Sequence, residues 1–471
     1  MPEFTLDEVL NTTSGRTETV GKYEAFLGIA TDSRNIKGGE LFFALVGPNF
    51  DGHDFAHEAA AKGARGIVVS RTIEARDLPC GVWVIQTDDT LKALQRLAHY
   101  NRQRLGTFVI AVTGSTGKTS TKDMIHSIFS QRMETAKTYQ NLNNEIGVAL
   151  TLLGLDEHHE ACVVELAMRA PGEIRELSEI VRPDVGVITN VGESHIELLG
   201  SRENIAKAKS ELIEVLGDTG VAVLNGDCPY TAKMRDMVQG RSVLFGLEDS
   251  NEVRGSDLMN LGKSGTQFTI DYGSRSFAAQ VLIPGTHNVY NALAAAACAL
   301  VSGLDTRSVI EGLAKVELTV QRMDIVEAAS GFTVIDDTYN ASPSSVNAAL
   351  DVLKDIGGTE GRTIAVLGNM LELGDIADIA HHDLGKQVIE RSVDVLITVG
   401  DLACLAGQEA IRLGKSQDTV FMFHEKSRAV DALMKLVRPG DVILVKGSRS
   451  MEMEEISQAL LGSTGGRPYV T

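Results

Sequence analysis

Residues 114–120, Gly-Ser-Thr-Gly-Lys-Thr-Ser, have the types and the order of a phosphate cradle. Glycines let backbone N–H groups approach polyphosphate oxygens, and the start of a following helix adds positive potential. Lys118 then suits the β- and γ-phosphates, and Thr119 offers a hydroxyl to Mg²⁺. The longer form of this motif needs a glycine where Val112 stands, so the loop is the shorter Gly-x-x-Gly-Lys-Thr. A strand-type apolar run, 108–112, precedes it and a helical segment, 122–129, follows. That context points to a bound nucleoside triphosphate.

Acids and a histidine recur just past other apolar runs. Glu165 follows 162–164, where a carboxylate beside the phosphate loop suits Mg²⁺, a hard cation preferring oxygen, although a solvated strand-end acid fits the segment too. His195 follows the run 187–189, so three strand ends converge on one cleft. The helical stretch 201–216 carries Lys207 and Lys209, which lie about 200° apart on a helix, so at most one faces that cleft. Helical spacing alone leaves both as surface lysines. The amide-rich segment 139–145, with Asn141 and Asn144, suits either ligand hydrogen bonds or an ordinary turn. Asn288 reads as an N-cap of the alanine-rich helix that follows, while Asn288 and Asn291 together could also read an adenine edge. Asp336 and Asp337 again follow a strand, where a ribose or a phosphate-bound metal could sit. His381-His382 lacks metal-ligand spacing and reads as solvated.

The elements that must hold these groups alternate in type. Short strands at 67–69 and 82–85 lead into 91–105, whose apolar spacing is helical and which is taken as the link to the next unit. Strand runs at 109–112, 161–164, 185–189 and 221–224 alternate with helices, as in a mostly parallel sheet covered by helices. A second alternation starts near 318, with runs at 332–335, 363–367, 395–399 and 442–445. It resembles a dinucleotide-binding fold, but 368–374 lacks Gly-x-Gly-x-x-Gly, so NAD is not expected. The expected fold is α/β in three domains. A smaller N-terminal α/β domain spans 1–106, a central P-loop parallel-sheet domain 107–317, and a C-terminal Rossmann-like domain 318–471.

Composition narrows the partners. Lys+Arg 44 against Asp+Glu 63 gives a net charge of −19, which argues against nucleic acid. The acidic N-terminus is unlike a signal peptide, and the purest apolar run, 292–301, is too short to cross a bilayer. Five scattered cysteines, Cys80, Cys162, Cys228, Cys298 and Cys404, suggest free thiols in a reducing cytoplasm. A cytoplasmic monomer without membrane insertion is the expectation.

Taken together, 113–119, Glu165, 190–195, 288–291 and 336–342 resemble the Mur ligase family, the ATP-dependent amide ligases that build the peptide of bacterial cell-wall precursors. The resemblance covers nearly the whole chain. Segments 31–34, 47–55, 168–174, 336–343, 368–375 and 445–449 are most similar to the branch that joins D-alanyl-D-alanine to a UDP-N-acetylmuramoyl-tripeptide. The Asp-(Asn or Asp)-Pro-Arg signature of the preceding step does not occur, and Ala149 stands where the family often has proline.

The resemblance implies roles. Gly114, Ser115, Thr116, Gly117, Lys118, Thr119 and Ser120 hold the ATP phosphates. Thr119 and Glu165 bind one Mg²⁺; His195 and Lys209, as a carbamylated lysine, bind a second. Lys118, His195 and Lys209 are the catalytic set, Asn288 and Asn291 contact adenine, Asp337 the ribose, and Arg322 the phosphates after domain closure. Ser33, Arg34, Asn141, Asn144 and Arg169 meet the UDP-sugar peptide. Two other readings compete. A folate-type polyglutamate ligase shares the ATP machinery but lacks a separate UDP-sugar domain. A P-loop nucleotide switch should carry a guanine-reading Asn-Lys-x-Asp, which is absent here.

Overall fold

A computed structural model describes residues 2–74, 78–357 and 361–462. The central sheet has nine strands. From one edge they run Thr135–Lys137, Ala161–Glu165, Phe108–Thr113, Val185–Ile188, Val221–Asn225, Arg241–Gly246, Val253–Asn260, Thr266–Tyr272 and Arg275–Val281. The first seven pair in parallel and the last two add antiparallel ladders. Phe108–Thr113 is the switch point, because the chain proceeds to one side of it before returning to the other. A crevice opens at the carboxyl ends of the strands at such a point. Register fixes what lines it: Glu165 lies beside Val112, and Ile188 beside Thr113.

The antiparallel extension departs from the sequence-based expectation of a sheet built from alternating strands and helices. Its strands alternate buried and open residues, and Gly273, at φ +59°, makes the tight turn between Tyr272 and Arg275. The phosphate-loop helix is also longer than its apolar periodicity suggests, running Lys118–Phe129 because left-handed Gly117 caps it. Helix Thr286–Val301 is capped by Gly285, so Asn288 is not its N-cap. Asn288 sits inside the first turn, where it donates to Pro284 O at 2.9 Å and accepts from Asn291 at 3.1 Å.

A six-stranded sheet follows in the C-terminal part, in the order Asp324–Glu327, Thr333–Asp336, Val442–Lys446, Thr363–Gly368, Val395–Val399 and Val420–Phe423. Only its first strand is antiparallel to its neighbour. The N-terminal five-stranded sheet is smaller and also mostly parallel. One apolar core runs unbroken from Phe4 and Phe43 through Leu97 on helix Thr90–Leu105 to Val109 and Val164. The C-terminal sheet has apolar cores of its own on its two faces. His381, expected in solvent, is instead fully buried: its Nε2 accepts from Met370 N at 3.0 Å and its Nδ1 donates to Ala377 O at 2.7 Å. It shapes the loop that faces the central sheet. Among the described residues, no helix is long and apolar enough to cross a membrane.

Candidate functional site

The three strand ends, the phosphate loop and the facing C-terminal loops enclose a cleft of about 1500 Å³. Its loop is held from the next strand. Asn190 Oδ1 accepts from Thr116 N at 3.0 Å, Thr189 Oγ1 donates to Thr116 O at 2.6 Å, and Ser115 Oγ accepts from Gly192 N at 2.8 Å. Two glycines permit this closeness. A Cβ on Gly114 would stand 1.9 Å from Thr189 Oγ1, and one on Gly117 would stand 2.3 Å from Asn291 Oδ1. Lys118 folds back, donating to Gly114 O at 2.8 Å and Ser115 O at 3.3 Å, so its ammonium rests over the cradle. Burial lowers its pKa, Glu165 opposes that shift, and Arg322 adds to it.

Glu165 is 1 % exposed, accepts from Asn143 Nδ2 at 2.8 Å, and leaves Oε2 without a hydrogen-bond partner. The nearest cation to that oxygen among the described ion pairs is Lys122, 4.0 Å away. Lys122 is fully buried and donates to Thr138 O at 3.0 Å. Neither Asn143 nor Lys122 stood out in the sequence, since one lies among other amides and the other continues a polar helix start. Lys122 repeats Lys118 one helical turn on, and that spacing was the available signal.

His195 adopts φ +66°, a left-handed conformation uncommon for a residue with a side chain. Its Nδ1 lies 2.7 Å from Glu372 Oε2, an ion-pair distance, yet without the alignment of a hydrogen bond. Burial first, then the charge of Lys118, lowers its pKa, while Glu372 opposes them. Lys209 is 2 % exposed and Lys207 is exposed, so the helix does turn the two apart and the bland assignment of both to the surface fails for Lys209. Lys209 stands behind the cleft wall rather than lining it. Burial, with a contribution from Lys118, holds its amine well below the ordinary lysine range.

The facing wall comes from the C-terminal part. Arg322 donates to Thr119 Oγ1 at 3.1 Å and stacks 3.7 Å from the centre of the Tyr339 ring. Asp337 is paired with Lys446, which is 3 % exposed and also donates to Asn340 O at 2.8 Å. Asn141, Asn144, Arg169, Asn288 and Asn291 line the same cleft, although Asn144 also caps helix Glu145–Leu153 by accepting from Gly147 N at 2.9 Å. Ser33 and Arg34 do not line it. Ser33 donates to Glu58 and Arg34 pairs with Asp32, both within the N-terminal sheet region.

A hard cation fits here by donor type: an orphaned, buried carboxylate oxygen and a hydroxyl stand beside the phosphate cradle. Among the described residues, no three His, Cys, Asp or Glu side chains gather into a protein-only cage. That suits Mg²⁺, which keeps waters and phosphate oxygens among its ligands.

Cleft, phosphate loop and facing C-terminal wall define a P-loop enzyme whose larger sheets have five, nine and six strands, and similarity then gives the family. Residues 112–299 match the Mur ligase middle domain, 321–449 the Mur ligase glutamate ligase domain, and 26–102 the Mur ligase family catalytic domain. The chain belongs to the Mur ligase family. It is 38% identical over 436 residues, 93% of each chain, to UDP-N-acetylmuramoyl-tripeptide–D-alanyl-D-alanine ligase of Bacillus subtilis strain 168. A crystal structure of MurF from Acinetobacter baumannii superimposes with a TM-score of 0.89 at 32% identity, covering 98% of this chain and 99% of that one. MurF of Thermotoga maritima in complex with ADP gives 0.81 at 27% identity, covering 92% and 97%.

Proposed function

We propose that this protein joins D-alanyl-D-alanine to UDP-N-acetylmuramoyl-tripeptide at the expense of ATP, giving the pentapeptide precursor of peptidoglycan. The carrying observation is the cleft itself, where Lys118, Glu165, His195 and Arg322 converge from two sheets. Relatives bearing that activity's name match along nearly the whole chain.

A carboxylate is a poor acyl donor. Transfer of the γ-phosphoryl group to the tripeptide's terminal carboxylate makes an acyl phosphate and releases ADP. The dipeptide's amine then attacks the acyl carbon, a tetrahedral intermediate collapses, and phosphate leaves as the amine loses its proton. Both reactants are anionic, so positioned positive charge is the main catalytic requirement. Lys118 and Arg322 supply it from opposite walls. Asn288 and Asn291 are assigned to adenine, Asp337 to the ribose, and Gly114 to Ser120 to the phosphates. Asn141, Asn144 and Arg169 are assigned to the peptide end of the nucleotide sugar.

Thr119 and Glu165 would hold one Mg²⁺, and His195 with Lys209 as a carbamate a second. When bound, the ions offset charge between phosphate and carboxylate. A carbamate forms on a neutral amine, and the buried setting of Lys209 favours that form. Ser33 and Arg34 are assigned to the uridine end, on the domain 1–106, with 107–317 for ATP and 318–471 for the dipeptide. Closure of the last domain would exclude water from the acyl phosphate.

The test is phosphate release by the purified protein with ATP, Mg²⁺ and each acceptor alone or together, with mass spectrometry of the product. Release only with both acceptors, and a product heavier by the dipeptide residue, is expected. Release with ATP alone would favour a nucleotide switch, and product from a folyl substrate and glutamate the polyglutamate ligase. Lysine- and diaminopimelate-containing tripeptides, compared side by side, identify the third residue.

A further inference from the structure

On helix Lys118–Phe129, Thr119 and Asp123 are four residues apart and therefore share a face. Asp123 is 1 % exposed. Its Oδ1 accepts from Lys137 Nζ at 2.7 Å, and its Oδ2 accepts from both Thr319 N and Thr319 Oγ1 at 2.8 Å. Thr319 lies in the connection between helix Thr306–Ala314 and strand Asp324–Glu327, the covalent link from the central sheet to the C-terminal one. Three residues on, Arg322 donates to Thr119 Oγ1. The connection thus grips one helix face twice, at Asp123 and at Thr119.

The backbone changes character just past the first grip. Gln321, at φ +65°, and Met323, at φ +58°, are both left-handed without being glycine, and they flank Arg322. Such conformations persist where surrounding contacts over-determine them. Arg322 is therefore delivered to the phosphate end of the helix from a tightly bent segment whose upstream end is tied down.

We propose that Asp123 is a positioning residue for the reaction: its buried carboxylate pins the interdomain connection at Thr319 and thereby sets where the Arg322 guanidinium meets Thr119. A carboxylate serves this better than an amide. Three donors from two elements converge on its two oxygens, whereas the amide of asparagine has a single acceptor oxygen. The inference rests on the assignment of this cleft to ATP.

The experiment is a double-mutant cycle in the full-length protein, with Asp123→Asn, Arg322→Gln and both together. It reads kcat, KM for ATP, and ATP affinity by equilibrium titration. Asp123→Asn should lower kcat/KM for ATP on the order of 10-fold, and add less than about twofold once Arg322 is Gln, since residues in one network are not additive. Thr319→Val, which removes one donor and leaves the Asp123 charge, provides the same cycle with a smaller loss if Asp123→Asn does not fold. Losses that multiply independently, or an anchor variant with wild-type kinetics, overturn the proposal. If wild type ligates nothing, the functional reading fails separately, and the ATP-affinity cycle still decides whether Asp123 acts through Arg322.

Discussion

On the central wall of the cleft, the phosphate loop is bound to the neighbouring strand through Thr189, Asn190 and Gly192, and its core continues into the N-terminal sheet. The facing wall has apolar cores of its own. It meets the central wall through Ile196 and Ile283, which pack against its core, and through polar links that include Arg322 on Thr119, Thr319 on Asp123 and Glu372 beside His195. The Glu372–His195 link joins two left-handed non-glycine residues, and Arg322 lies between two more, Gln321 and Met323. One wall is tied into the central sheet, and the other joins it through a bent, pinned connection. A ligase that must admit three substrates and then exclude water needs both kinds of wall.

Removing the charge of the central wall should do the most damage. Lys118→Ala is expected to lower ligation by about 10³-fold, since a positioned charge acts where phosphoryl charge develops. Melting temperature should barely change, because Lys118 bonds only its own loop. Phosphate release and thermal denaturation, measured together, check this. Near-normal turnover at saturating ATP would mean that the facing wall carries the charge alone.

Lys209 tests how far that wall extends behind its surface. Lys209→Ala should lose on the order of 10²-fold in rate, and short-chain carboxylic acids should restore part of it by replacing the carbamate oxygens. Lys207→Ala should behave as wild type, because Lys207 is exposed on the other side of the helix. Mass spectrometry of the intact protein under bicarbonate reads the modification directly. Activity lost with Lys207 and kept without Lys209 would put Lys207 rather than Lys209 on the face of the helix that serves the site.

The difference between the walls also explains what the sequence disclosed. The loop is legible because its residues are contiguous and each type has one chemical reason to be there. Glu165 and His195 were legible from their places after strands that share a sheet. Lys122, Asn143, Lys446 and Glu372 were not, because their meaning comes from partners distant in the chain: Lys446 meets Asp337, and Glu372 meets His195. His381 misled because a histidine pair looks polar, whereas both of its ring nitrogens are satisfied inside the C-terminal fold. The antiparallel strands within 253–281 fall outside the strand–helix alternation on which the sequence-based expectation rests, although the period-two pattern of 266–272 carried their signal.

A milder lesion on the facing wall is Lys446→Met. Its ammonium pairs with Asp337 and holds Asn340 O, so the substitution leaves a mostly buried carboxylate without its cation. Breaking such a pair costs about 3 kcal/mol. KM for ATP should rise about 10-fold, with kcat falling less, because Asp337 is assigned to binding rather than to chemistry. An unchanged KM with a lowered melting temperature would confine the pair to folding and leave the ribose to another group.

The smallest effect probes the contact between the walls without touching the phosphates. His287 belongs to the central part, on helix Thr286–Val301, and lines the cleft. Burial pushes its pKa from 6.5 down to about 4, with Asp337 opposing the shift and Lys446 adding to it. Both of those charges belong to the facing wall, as does Val352, which crowds the neighbouring Gly285. The folded protein therefore keeps this imidazole neutral, while the unfolded chain takes up a proton below pH 6.5. More protons on the unfolded state means that stability is full above pH 6.5 and declines as pH falls toward about 4. Denaturant midpoints across that window should fall less steeply for His287→Gln than for wild type. In the wild type, the histidine's own titration, followed by NMR, should move back toward 6.5 if the walls part in solution. A titration already near 6.5 without ligand would show that the facing wall rests away from His287 until substrates draw it in.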